Sequence, residues 1–221
     1  MSAKAAFMKV FYIGGKKKGI CFALLALALA FGCSCFLAPV AAADEEPVLV
    51  IYHTNDVHGY AFHEADGDAR PTRWGYDYVK AVVDKDGARN KMLLDAGDVL
   101  HGQSFATARR GELVARILAM MDYDAIAAGN HDFDYGWDRL VSLRDLYRLN
   151  FVSANAIRSD GGVSIMPPYI IKDFADLRVG VFGLTTPSTP TSTDPRNVVG
   201  LAFGKPDEIA QLARDVVRRM R

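Results

Sequence analysis

The fold is decided by one segment of the sequence, MLLDAGDVLHG at Met92–Gly102. Its apolar residues lead into Gly97 and Asp98, and a second glycine follows four positions after that aspartate. An apolar run that meets glycine-containing turn residues is typical of a buried strand ending in a tight loop. The segment therefore predicts a strand that carries the Asp98 carboxylate at its carboxyl end.

Two other segments repeat this pattern, TNDVHG at Thr54–Gly59 and GNHDFD at Gly129–Asp134. The first follows the apolar run Val48–Tyr52, and the second follows the shorter run 124–128. Ligands of α/β proteins bind in the loops at the carboxyl ends of the strands. Carboxylate, imidazole and amide groups are ligands of divalent metal ions. We therefore expect the three loops to converge on one metal-binding cleft, with Asp56, His58, Asp98 and Asn130 as candidate ligands.

The remaining sequence alternates between patterns of helices and strands. Apolar periodicity and end signals predict helices at Tyr76–Lys85, Glu112–Met121, Trp137–Arg148 and Pro206–Met220. Further strands are predicted at Phe151–Ser153, Tyr169–Ile171 and Val179–Leu184, and an irregular loop at Thr185–Pro195. Strands alternating with helices predict an α/β fold.

The first 43 residues differ from the rest of the sequence. Basic residues up to Lys18 precede the uncharged run Ile20–Val40, and three alanines follow. This order is typical of a secretory signal peptide, which predicts cleavage before Asp44 and a protein that is periplasmic, on the cell surface or secreted. An uncleaved N-terminal anchor is one alternative, because the run is long enough to span a bilayer, and lipid attachment at Cys33 is another. Membrane contact is expected only through this segment.

Composition excludes two classes of function for residues 44–221. All three cysteines (Cys21, Cys33 and Cys35) lie in the first 43 residues, so the rest of the chain has no disulfide and no thiol nucleophile. Five of the 26 basic residues and none of the 26 acidic residues lie there too, which leaves 21 against 26 and a net charge of −5. A net negative charge without a cluster of basic residues gives no indication of nucleic-acid binding. The oligomeric state is not indicated.

The three loop motifs resemble the first three signatures of the calcineurin-like metallophosphoesterases. They are most similar to the secreted 5′-nucleotidase branch, which includes 2′,3′-cyclic phosphodiesterases and UDP-sugar hydrolases. The similarity continues through VFGLTTP at Val181–Pro187 and GLAF at Gly200–Phe203. This resemblance implies a β-sandwich flanked by helices, and hydrolysis of nucleotide phosphate esters by a water molecule that two metal ions activate.

The resemblance also implies a role for each candidate residue. Asp56 and His58 would bind the first of two divalent ions (Zn, Mn, Mg or Ca), Asp98 would bridge the two ions, and Asn130 would bind the second. His131, held by Asp134, would stabilise the phosphoryl group and help the leaving oxygen to depart. These two residues are therefore the candidate catalytic pair.

The chain departs from the family pattern after these motifs. The family supplies further histidines from the second half of the catalytic domain and a C-terminal domain for the nucleoside, whereas the last histidine here is His131. Residues 44–221 are therefore expected to be the N-terminal portion of a catalytic domain, incomplete at its C-terminal end and without the substrate-binding domain. The alternative function is an inactive fragment, or a remnant that binds metal or phosphate without turnover. His53 and His101 are interpreted as a strand-end residue and a cleft-lining residue, with metal ligation as the open alternative.

Overall fold

The structure, a computed structural model, describes residues 9–13, 49–69, 71–175 and 177–220. The predicted signal peptide, with its anchor and lipid alternatives, lies outside these residues except for Lys9–Ile13. The strands are β1 (Lys9–Ile13), β2 (Leu49–Thr54), β3 (Glu64–Ala65), β4 (Pro71–Arg73), β5 (Lys91–Asp95), β6 (Ala125–Ala127), β7 (Phe151–Val152), β8 (Ile157–Arg158), β9 (Tyr169–Asp173), β10 (Arg178–Phe182) and β11 (Leu201–Ala202). The helices are α1 (Tyr76–Lys85), α2 (Ser104–Thr107), α3 (Glu112–Met121), α4 (Trp137–Tyr147), α5 (Thr189–Ser192) and α6 (Pro206–Met220).

Five strands form the largest sheet among the described residues, in the order β1-β2-β5-β6-β7. Strands β2, β5, β6 and β7 are parallel to one another, and β1 pairs with β2 in the antiparallel direction. The register places Thr54 opposite Asp95 and Asp95 opposite Ile126. The carboxyl ends of β2, β5 and β6 therefore meet at one edge of the sheet, and the α/β prediction is confirmed.

The hydrophobic core joins this sheet to helices α1, α3 and α4. Valines and leucines spaced three or four residues apart along these helices are buried, as the amphipathic pattern predicts. They belong to one cluster with Tyr52, Leu93, Ile126 and Phe151 of the sheet. Burying a side chain of this size stabilises the fold by roughly 1.5–3 kcal/mol. Helix packing therefore holds the edge that carries the three loops.

The hairpin β9–β10 lies against the sheet and encloses an apolar space with it. Ile51, Leu94 and Ala127 of the sheet and Val181 and Phe182 of β10 line a cavity of about 370 Å³. The chain returns to the sheet at Gly183, where a Cβ atom would stand 2.2 Å from the Val152 carbonyl oxygen. Only glycine allows that approach, so this position fixes β10 next to the end of β7.

Several short elements differ from the sequence prediction. The segment Thr185–Pro195, predicted to be irregular, contains helix α5 and the first residue of a 3₁₀ turn at Pro195–Val198. Short polar side chains and prolines at the first turns stabilise these helices, and Asp194 accepts a hydrogen bond from the Arg196 N–H at 2.9 Å. Strand β1 was not predicted, because the basic character of its surroundings indicated a leader. None of the helices in the described parts of the chain is both long and apolar enough to cross a membrane.

Candidate metal centre

The first two loops are held together by their backbones. The N–H of Asp56 donates to the Gly97 carbonyl oxygen, and the N–H of His58 donates to the Asp98 carbonyl oxygen, both at 3.0 Å. Asp56, His58 and Asp98 each offer a ligand atom, and these atoms all lie within 4.8 Å of one another. Two carboxylates and an imidazole are a donor set that fits a divalent cation. The structure thus brings together Asp56, His58 and Asp98, three of the four candidate ligands named from the sequence.

His58 is oriented by a backbone carbonyl. Its Nδ1 atom lies 2.9 Å from the carbonyl oxygen of His101. Because a carbonyl oxygen only accepts hydrogen bonds, Nδ1 is the donor in this contact, and Nε2 is the nitrogen that remains for a ligand. Nε2 lies 3.8 Å from Asp56 Oδ1, on the side of the carboxylates. A histidine held this way presents Nε2 as its metal-binding atom.

The three converging residues share an uncommon backbone conformation. Asp56, His58 and Asp98 have φ values of 54°, 51° and 61°, in the left-handed region. A residue with a Cβ atom enters this region at a cost of about 1–2 kcal/mol. Such conformations concentrate at functional sites, where the surrounding structure enforces them.

Asp98 also contacts the third loop. Its Oδ1 accepts a hydrogen bond from the His131 backbone N–H at 2.8 Å. Burial raises the pKa of Asp98 despite that bond and the nearby imidazoles. The neighbouring Asn130 donates from Nδ2 to the Ser192 carbonyl oxygen at 3.4 Å. Because the amide nitrogen has this partner, the oxygen is the atom of Asn130 suited to a cation.

Asp132, to which the sequence patterns gave no role, connects the second and third loops. This buried carboxylate accepts four backbone N–H groups, from Asp98 at 3.0 Å, Val99 and Leu100 at 2.9 Å, and Gly129 at 2.8 Å. Burial and the charge of Asp98 raise its pKa to about 6, against the lowering effect of these bonds. The signal available in the sequence was an acidic residue inside a glycine-led turn. That signal indicates a turn, but it does not indicate which other loop the aspartate contacts.

A second buried carboxylate, Asp95, lies beneath the same edge. Thr54 Oγ1 donates to Asp95 Oδ2, and the Gly97 N–H donates to Oδ1 at 2.7 Å. The Tyr123 hydroxyl lies 2.7 Å from Thr54 Oγ1, which extends the chain of hydrogen bonds. Burial raises the pKa of Asp95 to about 7, although these hydrogen bonds oppose the shift. The loop that carries Asp98 therefore begins at Asp95, a buried carboxyl group with a raised pKa.

We expect Asp95 to make the stability of the metal-free protein depend on pH. Its pKa of about 7 exceeds the ordinary value of 3.8, so the folded state holds the proton more tightly than the unfolded state. The free energy of unfolding should therefore fall as the pH rises from about 4 to about 7, and level off above that. Melting temperatures in chelator from roughly pH 5 to pH 8 would measure this slope, which Asp95→Asn should reduce. An unchanged slope in the variant would contradict this assignment.

His131 and Asp134 form a hydrogen-bonded pair. His131 Nδ1 lies 2.7 Å from Asp134 Oδ2. Burial alone would lower the pKa of His131, but the hydrogen bond and charge of Asp134 outweigh it, and the pKa is raised. Asp134 is anchored in turn, because Thr193 Oγ1 donates to its Oδ1 at 2.5 Å and Asn197 Nδ2 to its carbonyl oxygen at 2.7 Å. The segment predicted to be irregular therefore supports the candidate catalytic pair.

The other histidines occupy different surroundings. His53 lines the apolar cavity under β10, and the exposed His63 pairs with Asp77 at 2.6 Å. His101 lines the cleft, with Nδ1 3.1 Å from Asp134 Oδ2 and its ring 5.7 Å from that of His131. The sequence interpretation of His101 as a cleft-lining residue agrees with this position.

The arrangement of an α/β sheet with Asp, His and Asn loops at one edge matches a known class. The family model of the calcineurin-like phosphoesterases matches residues 49–192, and the chain belongs to this family. Protein UshA of Salmonella pullorum is 30% identical over 200 residues, covering 89% of this chain and 35% of that protein. A 5′-nucleotidase of Vibrio cholerae is 30% identical over 184 residues, covering 81% of this chain and 33% of that protein.

Solved structures agree with the sequence comparisons. The 5′-nucleotidase precursor from Thermus thermophilus has a TM-score of 0.62 and 30% identity, and the match covers 76% of this chain and 34% of that chain. A putative 5′-nucleotidase from Staphylococcus aureus has a TM-score of 0.62 at 27% identity, over 77% of this chain and 35% of that one. The chain thus spans about a third of the length of the relatives it matches.

Proposed function

We propose that this protein is an exported, metal-dependent phosphoesterase of the 5′-nucleotidase type that hydrolyses nucleotide phosphate esters. The observation that carries the proposal is the convergence of Asp56, His58 and Asp98 at the edge of a parallel sheet. Relatives named 5′-nucleotidase, at about 30% identity, support the choice of substrate class. The apolar segment before Asp44 supports export.

The described residues fit divalent ions. Asp56 and His58 would hold the first of two ions, Asp98 would contribute to both, and Asn130 would contribute its amide oxygen to the second. Such ions would supply a water molecule of lowered pKa and positive charge to neutralise the phosphoryl oxygens. The His101 carbonyl keeps His58 in the tautomer that binds, and the backbone bonds between the first two loops keep the carboxylates close.

His131 supplies a proton to the leaving oxygen in this proposal. Its Nδ1 faces Asp134, so Nε2 is the nitrogen available to a substrate. The raised pKa keeps the imidazole protonated over more of the neutral pH range than an ordinary histidine. Asp134 fixes the ring, and Thr193 fixes Asp134.

Purified protein should release phosphate from a nucleoside monophosphate in the presence of Mn²⁺, Zn²⁺ or Mg²⁺. A cyclic phosphodiester and an aryl phosphate should be compared in parallel, with a chelator as the control. We expect the nucleoside monophosphate to be the preferred substrate and the chelator to abolish release. Phosphate release that survives the chelator would contradict the proposal.

A second candidate function is metal binding without turnover. The observation that favours it is the number of candidate ligands, because Asn130 and the shared Asp98 are the ligands proposed for the second ion among the residues that the structure describes. Metal sites generally need three or more protein ligands. A metal-dependent rise in melting temperature without phosphate release would favour this candidate.

We expect His131→Ala to lower turnover far more than metal content. General acid catalysis contributes roughly 10²–10⁴-fold to a rate, and the substitution removes the proton donor without removing a proposed ligand of either ion. Turnover and bound Mn²⁺ should be measured on the same samples, with His63→Ala as the control at an exposed histidine. A parallel loss of Mn²⁺ and of turnover would instead assign His131 to the ligands.

A further inference from the structure

Two imidazoles and a carboxylate converge beside the candidate centre, at His101, His131 and Asp134. Asp134 Oδ2 lies 2.7 Å from His131 Nδ1 and 3.1 Å from His101 Nδ1. One ligand atom from each residue lies within 4.8 Å of the other two. The proposed hydrolysis uses the His131–Asp134 pair and gives the His101 side chain no role. Asp134 Oδ2 thus faces one imidazole nitrogen of His101 and one of His131, although the proposed hydrolysis requires only the contact with His131.

We propose that His101, His131 and Asp134 form a separate binding site for Zn²⁺ or a similar transition-metal ion. Two imidazoles and one carboxylate match the preference of Zn²⁺ and Co²⁺ for nitrogen ligands, whereas Mg²⁺ and Ca²⁺ prefer oxygen ligands alone. Three protein ligands and an open fourth position are a common arrangement for zinc. An ion in this site competes with the hydrogen bond between His131 and Asp134.

The distances between the three groups suit an ion of this size. Zinc–nitrogen and zinc–oxygen bonds of about 2.0–2.2 Å in a tetrahedral arrangement place the ligand atoms about 3.3–3.6 Å apart. The observed separations of 2.7 and 3.1 Å need only a small opening of the group. The His101 and His131 side chains are 34% and 37% exposed, so water can supply a fourth ligand and the ion has a path of entry.

The surroundings leave the required atoms available. Thr193 donates to Asp134 Oδ1, which leaves Oδ2 as the atom that faces the imidazoles. Metal ligands are commonly held by such outer hydrogen bonds. The His101 and His131 rings are nearly parallel, with an angle of 14° between their planes, and their Nδ1 atoms both face the same carboxylate. Both imidazoles therefore already present a nitrogen atom to the carboxylate oxygen that would share the ion.

Occupation of this site should inhibit the hydrolysis, and this consequence rests on the proposed function. The ion takes the oxygen of Asp134 that orients His131. The ion also adds positive charge to the cleft. This charge lies close to the first centre, because the His131 ring lies 5.3 Å from the ring of His58. Low concentrations of metal would then activate the protein through the first centre, and excess Zn²⁺ would inhibit it.

The binding test uses the full chain with Cys21, Cys33 and Cys35 replaced by serine, so that no thiolate binds the ion. Co²⁺ is titrated by visible absorption after saturation with Mn²⁺, and His101→Gln is compared with His63→Gln as the matched control. We expect His101→Gln to weaken Co²⁺ binding by more than about tenfold, the lower bound for losing even an outer-shell partner. Identical titrations of the two variants would overturn the proposal.

A second variant distinguishes loss of a metal ligand from a folding defect caused by the substitution of His101. In the same cysteine-free chain, His101→Cys places the only thiol in the proposed site. Co²⁺ should then show a thiolate-to-metal charge-transfer band in the near ultraviolet, which a structural role of His101 would not produce. A folded variant, judged by circular dichroism, that lacks this band would also overturn the proposal.

The activity test separates this inference from the proposed function. With Mn²⁺ supporting turnover, excess Zn²⁺ should inhibit the His63→Gln protein and inhibit His101→Gln less. Equal inhibition of both would overturn the link between the site and turnover. Absence of turnover with Mn²⁺ would overturn the proposed function alone, because the Co²⁺ titration reports on the site without any catalysis.

Discussion

Asp98→Ala is expected to reduce metal-dependent phosphate release by roughly 10³-fold or more. Asp98 reaches both neighbouring loops, since it lies with Asp56 and His58 and accepts the His131 backbone N–H. Its loss removes a proposed ligand of both ions and leaves that N–H without its acceptor. Steady-state kinetics and metal analysis of the same samples would measure the effect, and bound metal should fall together with the rate.

A matched control for Asp98→Ala is available on the surface. Asp122 is also an aspartate in the left-handed conformation, with a φ of 60° at the end of α3, and it is exposed. Asp122→Ala therefore carries the same backbone penalty without touching the cleft. We expect it to leave the rate and the metal content unchanged. A rate for Asp98→Ala within tenfold of this control would remove Asp98 from the proposed ligands.

Asp132→Asn is expected to lower the free energy of unfolding by about 4 kcal/mol. An amide offers one acceptor oxygen where the carboxylate has two, and its NH₂ group would face N–H donors from two loops. Each buried donor left without a partner costs roughly 1–3 kcal/mol. The Asp98 loop should also become mobile, so metal affinity should fall together with stability. Denaturant unfolding of the metal-free protein would measure the first effect, and metal titration the second.

Asp84→Asn provides the comparison for this second prediction. Asp84 is an exposed helical aspartate paired with Lys80 at 2.7 Å, and exposed pairs of this kind contribute roughly 0.3–0.5 kcal/mol. A stability loss in Asp132→Asn no larger than in Asp84→Asn would show that water replaces the four backbone bonds. The assignment of Asp132 as the residue that connects the second and third loops would then be wrong.

Local patterns in the sequence were enough to predict the strands and the loops that carry Asp56, His58 and Asp98. Each pattern lies within about ten residues, where an apolar run and a glycine turn are both visible. The ends of α1, α3 and α6 were predicted for the same reason. The α/β class followed from the alternation of these elements.

The contacts that arrange the loops could not be predicted, because they join distant parts of the chain. Asp132 binds backbone groups more than thirty positions away, and backbone N–H groups carry no sequence signature. Thr193 reaches Asp134 across about sixty positions from a segment whose composition indicated only a loop, and Asn197 reaches it from just beyond that segment. The contact of His101 with Asp134 likewise joins two loops that lie more than thirty positions apart in the sequence.

The left-handed conformations of Asp56, His58 and Asp98 have a consequence for laboratory evolution. Glycine adopts this conformation without a steric penalty, so glycine at these positions would relieve local strain and remove a proposed ligand in one step. A selection for heat resistance alone would therefore favour the loss of the cleft's side chains. A selection that retains turnover would instead have to find its stabilising substitutions elsewhere, for example on the exposed faces of the helices.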